Sequence, residues 1–297
     1  MGYCRWRFWP LRLFFGFLSL AQPDSLVFDE TYYVKDAYSL LINGVELDWQ
    51  SDSDANFANG DPSGLGSDPS FVVHPPLGKW LIALGLVVFG PGNPFGWRII
   101  VALFGIASVW LVMKCAQRIF EQRIWANLAG FLFAIDGVGI VLSRTALLDQ
   151  ILGFFALLAF YFLLRDLAES SRYRPWLILM SVSLGLATAV KWSGLYFLAV
   201  FALYRFLVSA NRNYNAHKAI EAEAGTLAKK LWLLPTAIEG AKSFILVTIP
   251  AALSYLLSWT GWFLSNSGWD RNYAENNPAT GLLSILPKPM QSLWHYH

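Results

Sequence analysis

The sequence predicts an all-α polytopic membrane protein, and three observations carry that prediction. First, 56% of its 297 residues are hydrophobic and 14% charged, with a mean hydropathy of +0.43; soluble domains carry roughly 45–50% apolar and about 25% charged residues. Second, the apolar residues come in uncharged blocks rather than in alternation, the pattern of membrane helices. Third, Lys and Arg gather in alternate connections between those blocks, as the positive-inside rule requires of a multi-pass chain. The net charge of +2 and the lack of a basic stripe with interleaved aromatics argue against a nucleic-acid partner. Cys4 and Cys115 are far apart and fall on the predicted inner side, so no disulfide is expected.

The expected spans follow in order. Leu13–Gln22, after a basic N-terminal stretch, reads as a short first membrane helix with its basic end inside. Ile99–Met113, Ile124–Ser143 (interrupted only by Asp136), Gln150–Leu164, Pro175–Val190, Trp192–Tyr204 and Ser243–Trp269 complete about seven spans. Several fall short of the roughly 20 residues a perpendicular helix needs, so flanking residues must contribute or the bilayer must thin locally. Leu77–Phe89, set between "HPP" and "GPGNP", is too short to span and reads as a partly buried interfacial helix. Lys114, Arg118 and Arg123, then Arg165, Arg172 and Arg174, then the run from Arg205 to Lys242, mark the cytoplasmic side. The whole chain, 1–297, reads as a single transmembrane domain, with a first outer loop at 22–96 and a cytoplasmic loop at 209–242.

Within the outer loop, "DETYYVKDAYSLLING" places Tyr33, Val34, Ala37, Leu40 and Leu41 at helical spacing, and Asn43-Gly44 ends it. An amphipathic helix on the outer surface fits this pattern. The centre, "NGVELDWQSDSDANFANGDPSGLGSDPS", is acidic and rich in Gly, Ser and Asn, and reads as irregular.

Charges beside apolar spans cost about 2.5–3.5 kcal/mol each at mid-helix and usually mark function. Here they are Asp29, Glu30, Arg98, Asp136, Arg144, Asp149 and Lys191, and the predicted topology puts all of them toward the outer face. Carboxylates facing several cations at a membrane surface suit transfer from a lipid phosphate. Asp29 or Glu30 would take a proton from an acceptor hydroxyl, and Arg98, Arg144 and Lys191 would hold the donor phosphate. His74, Asp136 and Asp149 are candidates for substrate contact or scaffold. Blander readings stand beside these: a solvated helix N-terminus for Asp29 and Glu30, snorkelling anchors for Arg98 and Lys191, an ion pair at a helix start for Arg144 and Asp149, and a loop-to-helix entry for His74 before Pro75-Pro76. His295 and His297 form an H-x-H pair, weak evidence for a metal. A transporter would instead predict inverted repeats and broken helices around a midplane site.

The stretches "DSLVFDETYYVKDAYSL", "HPPLGKWLIALG", "GWRIIVALFG", "SRTALLDQILGFFALLAFYFLL", "GLATAVKWSGLYFLAVFALY" and "SWTGWFLSNSGWDRNYAE", in this order, resemble the protein O-mannosyltransferase family in its actinobacterial form, from about Ser25 to the end. The family continues with further spans, so the chain resembles an N-terminal portion. The resemblance implies a C-type glycosyltransferase fold with juxtamembrane helices over a groove. It implies a polyprenyl-phosphate mannose donor and a Ser/Thr hydroxyl of an exported polypeptide as acceptor. It also implies inversion at the anomeric carbon and neither a cofactor nor a metal. On this pattern Asp29 is the base, Glu30 its partner on the acceptor, and Arg98 a residue needed for activity. Membrane lipids and the protein-export machinery are further candidate partners. A related transferase acting on a lipid or glycan, of the aminoarabinose-transferase kind, is the alternative.

Overall fold

The computed structural model describes residues 17–169, 173–224 and 232–297. Residues 13–16 of the first expected span lie outside these residues. Helix α1 (Glu30–Asn43) opens the described architecture and stops at Gly44, whose φ of +76° gives the left-handed cap that glycine adopts without penalty. Strand β1 (Leu47–Trp49), helix α2 (Asp54–Ala58) and strand β2 (Leu65–Pro69) follow. The two strands pair antiparallel with Trp49 opposite Leu65, so the stretch expected to be irregular is a small folded unit. Its organiser is Phe57, fully buried and edge-on to Trp49 at 5.4 Å and to Tyr38 at 5.7 Å. One buried aromatic outweighs the polar composition around it.

Helix α3 (Leu77–Phe89) has the bounds expected for the short apolar helix. Helix α4 (Pro94–Phe120) starts at an Asn93 cap, which accepts from Phe95 N at 3.0 Å, with proline in the first turn. The next block is two helices, α5 (Arg123–Ile135) and α6 (Gly137–Arg144), bent by 60° at Asp136. Helices α7 (Leu148–Ala168), α8 (Pro175–Val190), α9 (Gly194–Ala224) and α10 (Leu233–Ser258) complete the bundle. Among the described residues four helices are long and apolar enough to cross a membrane, or five if the bent pair is one span. The chain is thus a multi-pass membrane protein, though the described residues alone do not make up the expected count of about seven. The 16-residue α8 falls short on length, and the first expected span is described only from residue 17 onward. The segment 209–242, expected to be a loop, is helical at both ends: α9 runs to Ala224 and α10 begins at Leu233.

Helix α8 sits at the centre, packed against α7, α9 and α10. Its crossing with α10 is close because Gly185 lies on it: a Cβ there would come within 2.3 Å of Ala251 O. This is the small-residue contact on which membrane helix pairs rely. At one end of the bundle α1 lies across α3. Tyr33, Val34 and Ala37 of α1 share a buried cluster with Ile82, Trp97, Leu148, Ile151 and Val190. Beyond α10, α11 (Thr260–Leu264), α12 (Tyr273–Asn276), a 3-10 turn (Gly281–Ile285) and α13 (Lys288–Tyr296) return to the same end. There the Tyr296 hydroxyl donates to Val72 O at 3.1 Å.

Candidate active site

The two adjacent carboxylates at the start of α1 meet opposite environments. Glu30 is fully buried. Its Oε1 accepts from Arg98 Nε and from Ala146 N, each at 2.7 Å, and its Oε2 accepts from Arg98 Nη2 at 2.7 Å and from Val27 N at 3.1 Å. Arg98 is equally buried. Its remaining donors go to Leu20 O at 3.2 Å, Pro23 O at 2.8 Å and Ser25 O at 3.1 Å. A planar guanidinium meeting a carboxylate in this forked manner is a strong, directional contact. It fastens the entry to α1 onto α4 and onto the turn before α7.

In this geometry Glu30 and three carbonyls take all the donors of Arg98, and Glu30 is buried with both oxygens filled. Asp29 is the opposite case. It is exposed, and although it occupies the N-cap position its side chain makes no capping bond to the helix. Its Oδ2 accepts from the Tyr33 hydroxyl at 3.2 Å. Phe28, just before it, holds a φ of +51°, an unusual value for a bulky residue.

Around Asp29 the structure gathers His74, Asp149 and Lys191. Tyr33 and His74 rings lie 6.0 Å apart. Burial lowers the His74 pKa, with Lys191 and Lys79 adding to that and Asp149 and Asp29 opposing it, which favours a neutral imidazole. Burial raises the Tyr33 pKa, as do Asp29, Asp149 and Asp36, so the phenol stays protonated. Lys191 Nζ pairs with Asp149 at 3.0 Å, and both side chains are partly exposed. Such a pair contributes little to stability and leaves the ammonium accessible. Arg144 ends α6 and donates to Ser19 O at 3.3 Å, while its Nε is buried without a partner among the described residues. Asp136 is not brought to this group. It stands at the far end of α6 from Arg144, about 12 Å away at 1.5 Å per residue, where it caps that helix by accepting from Gly139 N at 2.6 Å.

A second ionic cluster was missed by sequence reasoning. Lys79 of α3, 1% exposed, lies 2.5 Å from Glu46 and 3.6 Å from Asp36 of α1. The signal was present: Lys79 is a charge inside an apolar helix, the criterion applied to the longer spans. Burial raises the Asp36 pKa to about 6, with Glu46 adding to it and Lys79 and Lys35 opposing it. Beside Lys191, a groove of about 580 Å3 opens between α8, α9 and α10, lined by Thr188, Trp192, Tyr196, Ala251, Tyr255 and His297 among others. Among the described residues no three His, Cys, Asp or Glu side chains are grouped to hold a metal.

The sequence profile of the family described as dolichyl-phosphate-mannose-protein mannosyltransferase matches residues 75–261. The polyprenol-phosphate-mannose–protein mannosyltransferase of Mycobacterium tuberculosis is 36% identical over 304 residues, which cover 94% of this chain and 52% of that protein. The protein of the same description from Corynebacterium glutamicum is 32% identical, over 96% of this chain and 55% of its own length. The chain therefore spans about half the length of the curated relatives it matches. Among solved structures, ArnT from Cupriavidus metallidurans bound to undecaprenyl phosphate superposes with a TM-score of 0.54 at 20% identity, over 90% of this chain and 44% of that one. That likeness establishes the C-type glycosyltransferase fold expected from the sequence.

Proposed function

The chain belongs to the dolichyl-phosphate-mannose-protein mannosyltransferase family, and from that premise we propose that it transfers mannose from a polyprenyl-phosphate donor to Ser or Thr hydroxyls of exported polypeptides, at the outer face of the membrane. The observation that carries this reading is the division between Asp29 and Glu30. One carboxylate is exposed with an oxygen to spare, and the other is buried with both oxygens filled. Inverting transfer needs one base and no covalent enzyme intermediate. Asp29 takes the proton of the acceptor hydroxyl as that oxygen bonds to the anomeric carbon. The carbon–oxygen bond to the phosphate breaks on the opposite side, and its electron pair leaves with the phosphate. Lys191 and Arg144 face the charge that develops there. Glu30 and Arg98 act as scaffold, fixing the turn that presents Asp29. The groove next to Lys191 suits an apolar prenyl chain.

The test supplies mannosyl-phosphoprenol and a Ser/Thr peptide to the membrane-embedded protein and to its Asp29→Asn variant. Transfer by the variant is expected to fall about 10²-fold or more. Unchanged transfer would remove Asp29 from this role, and labelled donor crossing vesicles intact would point to transport instead.

A further inference from the structure

Asp29 stands where a helix N-cap normally accepts from the backbone two or three residues on, yet no such bond forms. The only hydrogen bond to its side chain among the described residues comes from the Tyr33 hydroxyl, one turn along α1, at 3.2 Å on Oδ2. Oδ1 is left without a partner among the described residues. Tyr33 is itself held firmly: it is 8% exposed, within the cluster that joins α1 to α3, α4, α7 and α8. The phenol therefore cannot swing away without disturbing the core, whereas an exposed carboxylate can rotate unless something fixes it.

We infer that Tyr33 is a positioning residue: its hydroxyl holds Oδ2 of Asp29 and so directs Oδ1 toward the acceptor hydroxyl. This inference rests on the proposed role of Asp29 as base. The other ionisable groups near this pair are Asp149, Lys191, His74 and Lys79 from neighbouring elements, and Asp36 on α1 itself. None of them donates a hydrogen bond to Asp29 among the described residues.

Tyr33→Phe keeps the buried ring and removes only the hydroxyl. Mannosyl transfer by the membrane-embedded protein is measured for wild type, Tyr33→Phe and Asp29→Asn, with thermal unfolding alongside. In Tyr33→Phe kcat is expected to fall about tenfold with KM for both substrates little changed and the unfolding temperature close to wild type. Replacing Tyr33 by a ring-fluorinated tyrosine, which keeps the hydroxyl donor, is expected to restore kcat. A kcat for Tyr33→Phe equal to wild type, with Asp29→Asn inactive, overturns the positioning role and leaves Asp29 as base. An active Asp29→Asn overturns both.

Discussion

At the scale of single residues, neighbours in sequence are not neighbours in environment. Asp29 and Glu30 were legible as a carboxylate pair at a membrane edge. What was not legible is that Glu30 is consumed by Arg98, 68 positions away, because no local pattern reports a partner that distant. A buried ion pair is weak evidence of net stabilisation, since desolvation offsets much of the attraction. Removing one partner is another matter, because it strands the other charge. Glu30→Ala and Arg98→Ala are each expected to destabilise by about 3–5 kcal/mol. The double replacement by Met and Leu is expected to recover a substantial part of that stability while leaving transfer impaired, because the turn presenting Asp29 loses its anchor. Thermal unfolding in detergent beside a transfer assay separates the two effects. Transfer at the wild-type level in a stable double variant would contradict the scaffold role.

At the scale of elements, helices whose ends are written in local chemistry were readable, and those set by distant packing were not. The stop of α1 at Gly44 and the bounds of α3 follow from Asn-Gly, Pro-Pro and Gly-Pro punctuation. The β1–β2 pair depends on Phe57 entering a core built by Tyr38, Trp49 and Trp97, and composition hid it. The link between α1 and α3 through Asp36, Glu46 and Lys79 was equally hidden, and it has a measurable consequence. The Asp36 pKa is raised from 3.8 to about 6, chiefly by burial. Below pH 4 the carboxyl is protonated whether folded or unfolded, and its charge has no effect on stability. Between pH 4 and 6 the folded state binds the proton more tightly, so stability falls as pH rises, and above pH 6 the loss is complete. Asp36→Asn removes that loss. Its unfolding temperature is expected to match wild type near pH 4 and to exceed it at pH 7.5, by a stability gain on the order of 1–3 kcal/mol. A variant less stable at pH 7.5 than at pH 4, relative to wild type, would show that the Asp36 charge is needed by Lys79 more than burial opposes it.

At the scale of the whole molecule, the ionic groups fall at two ends of one helix. Asp149 begins α7 and pairs with Lys191. Asp166, near its other end, is buried and receives Arg174 at 2.7 Å and Arg205 at 2.7 Å. Seventeen steps along the helix separate the two carboxylates by about 26 Å, close to the roughly 30 Å hydrocarbon thickness of a bilayer. The alternation of basic connections carried this arrangement in the sequence, although it did not give the bend at Asp136 or the continuation of α9 as far as Ala224. By the positive-inside rule we propose the Arg174–Arg205 end as cytoplasmic and the Asp29 end as outside. Two exposed positions, Asn59 beyond α2 and Asn215 on α9, test that assignment. Single cysteines are placed at each, with Cys4 and Cys115 replaced by alanine, and intact cells are treated with a membrane-impermeant maleimide. Asn59→Cys is expected to label in intact cells, and Asn215→Cys only after permeabilisation. The reverse pattern would put Asp29 on the cytoplasmic side, where a base for modifying exported polypeptides has no acceptor to meet.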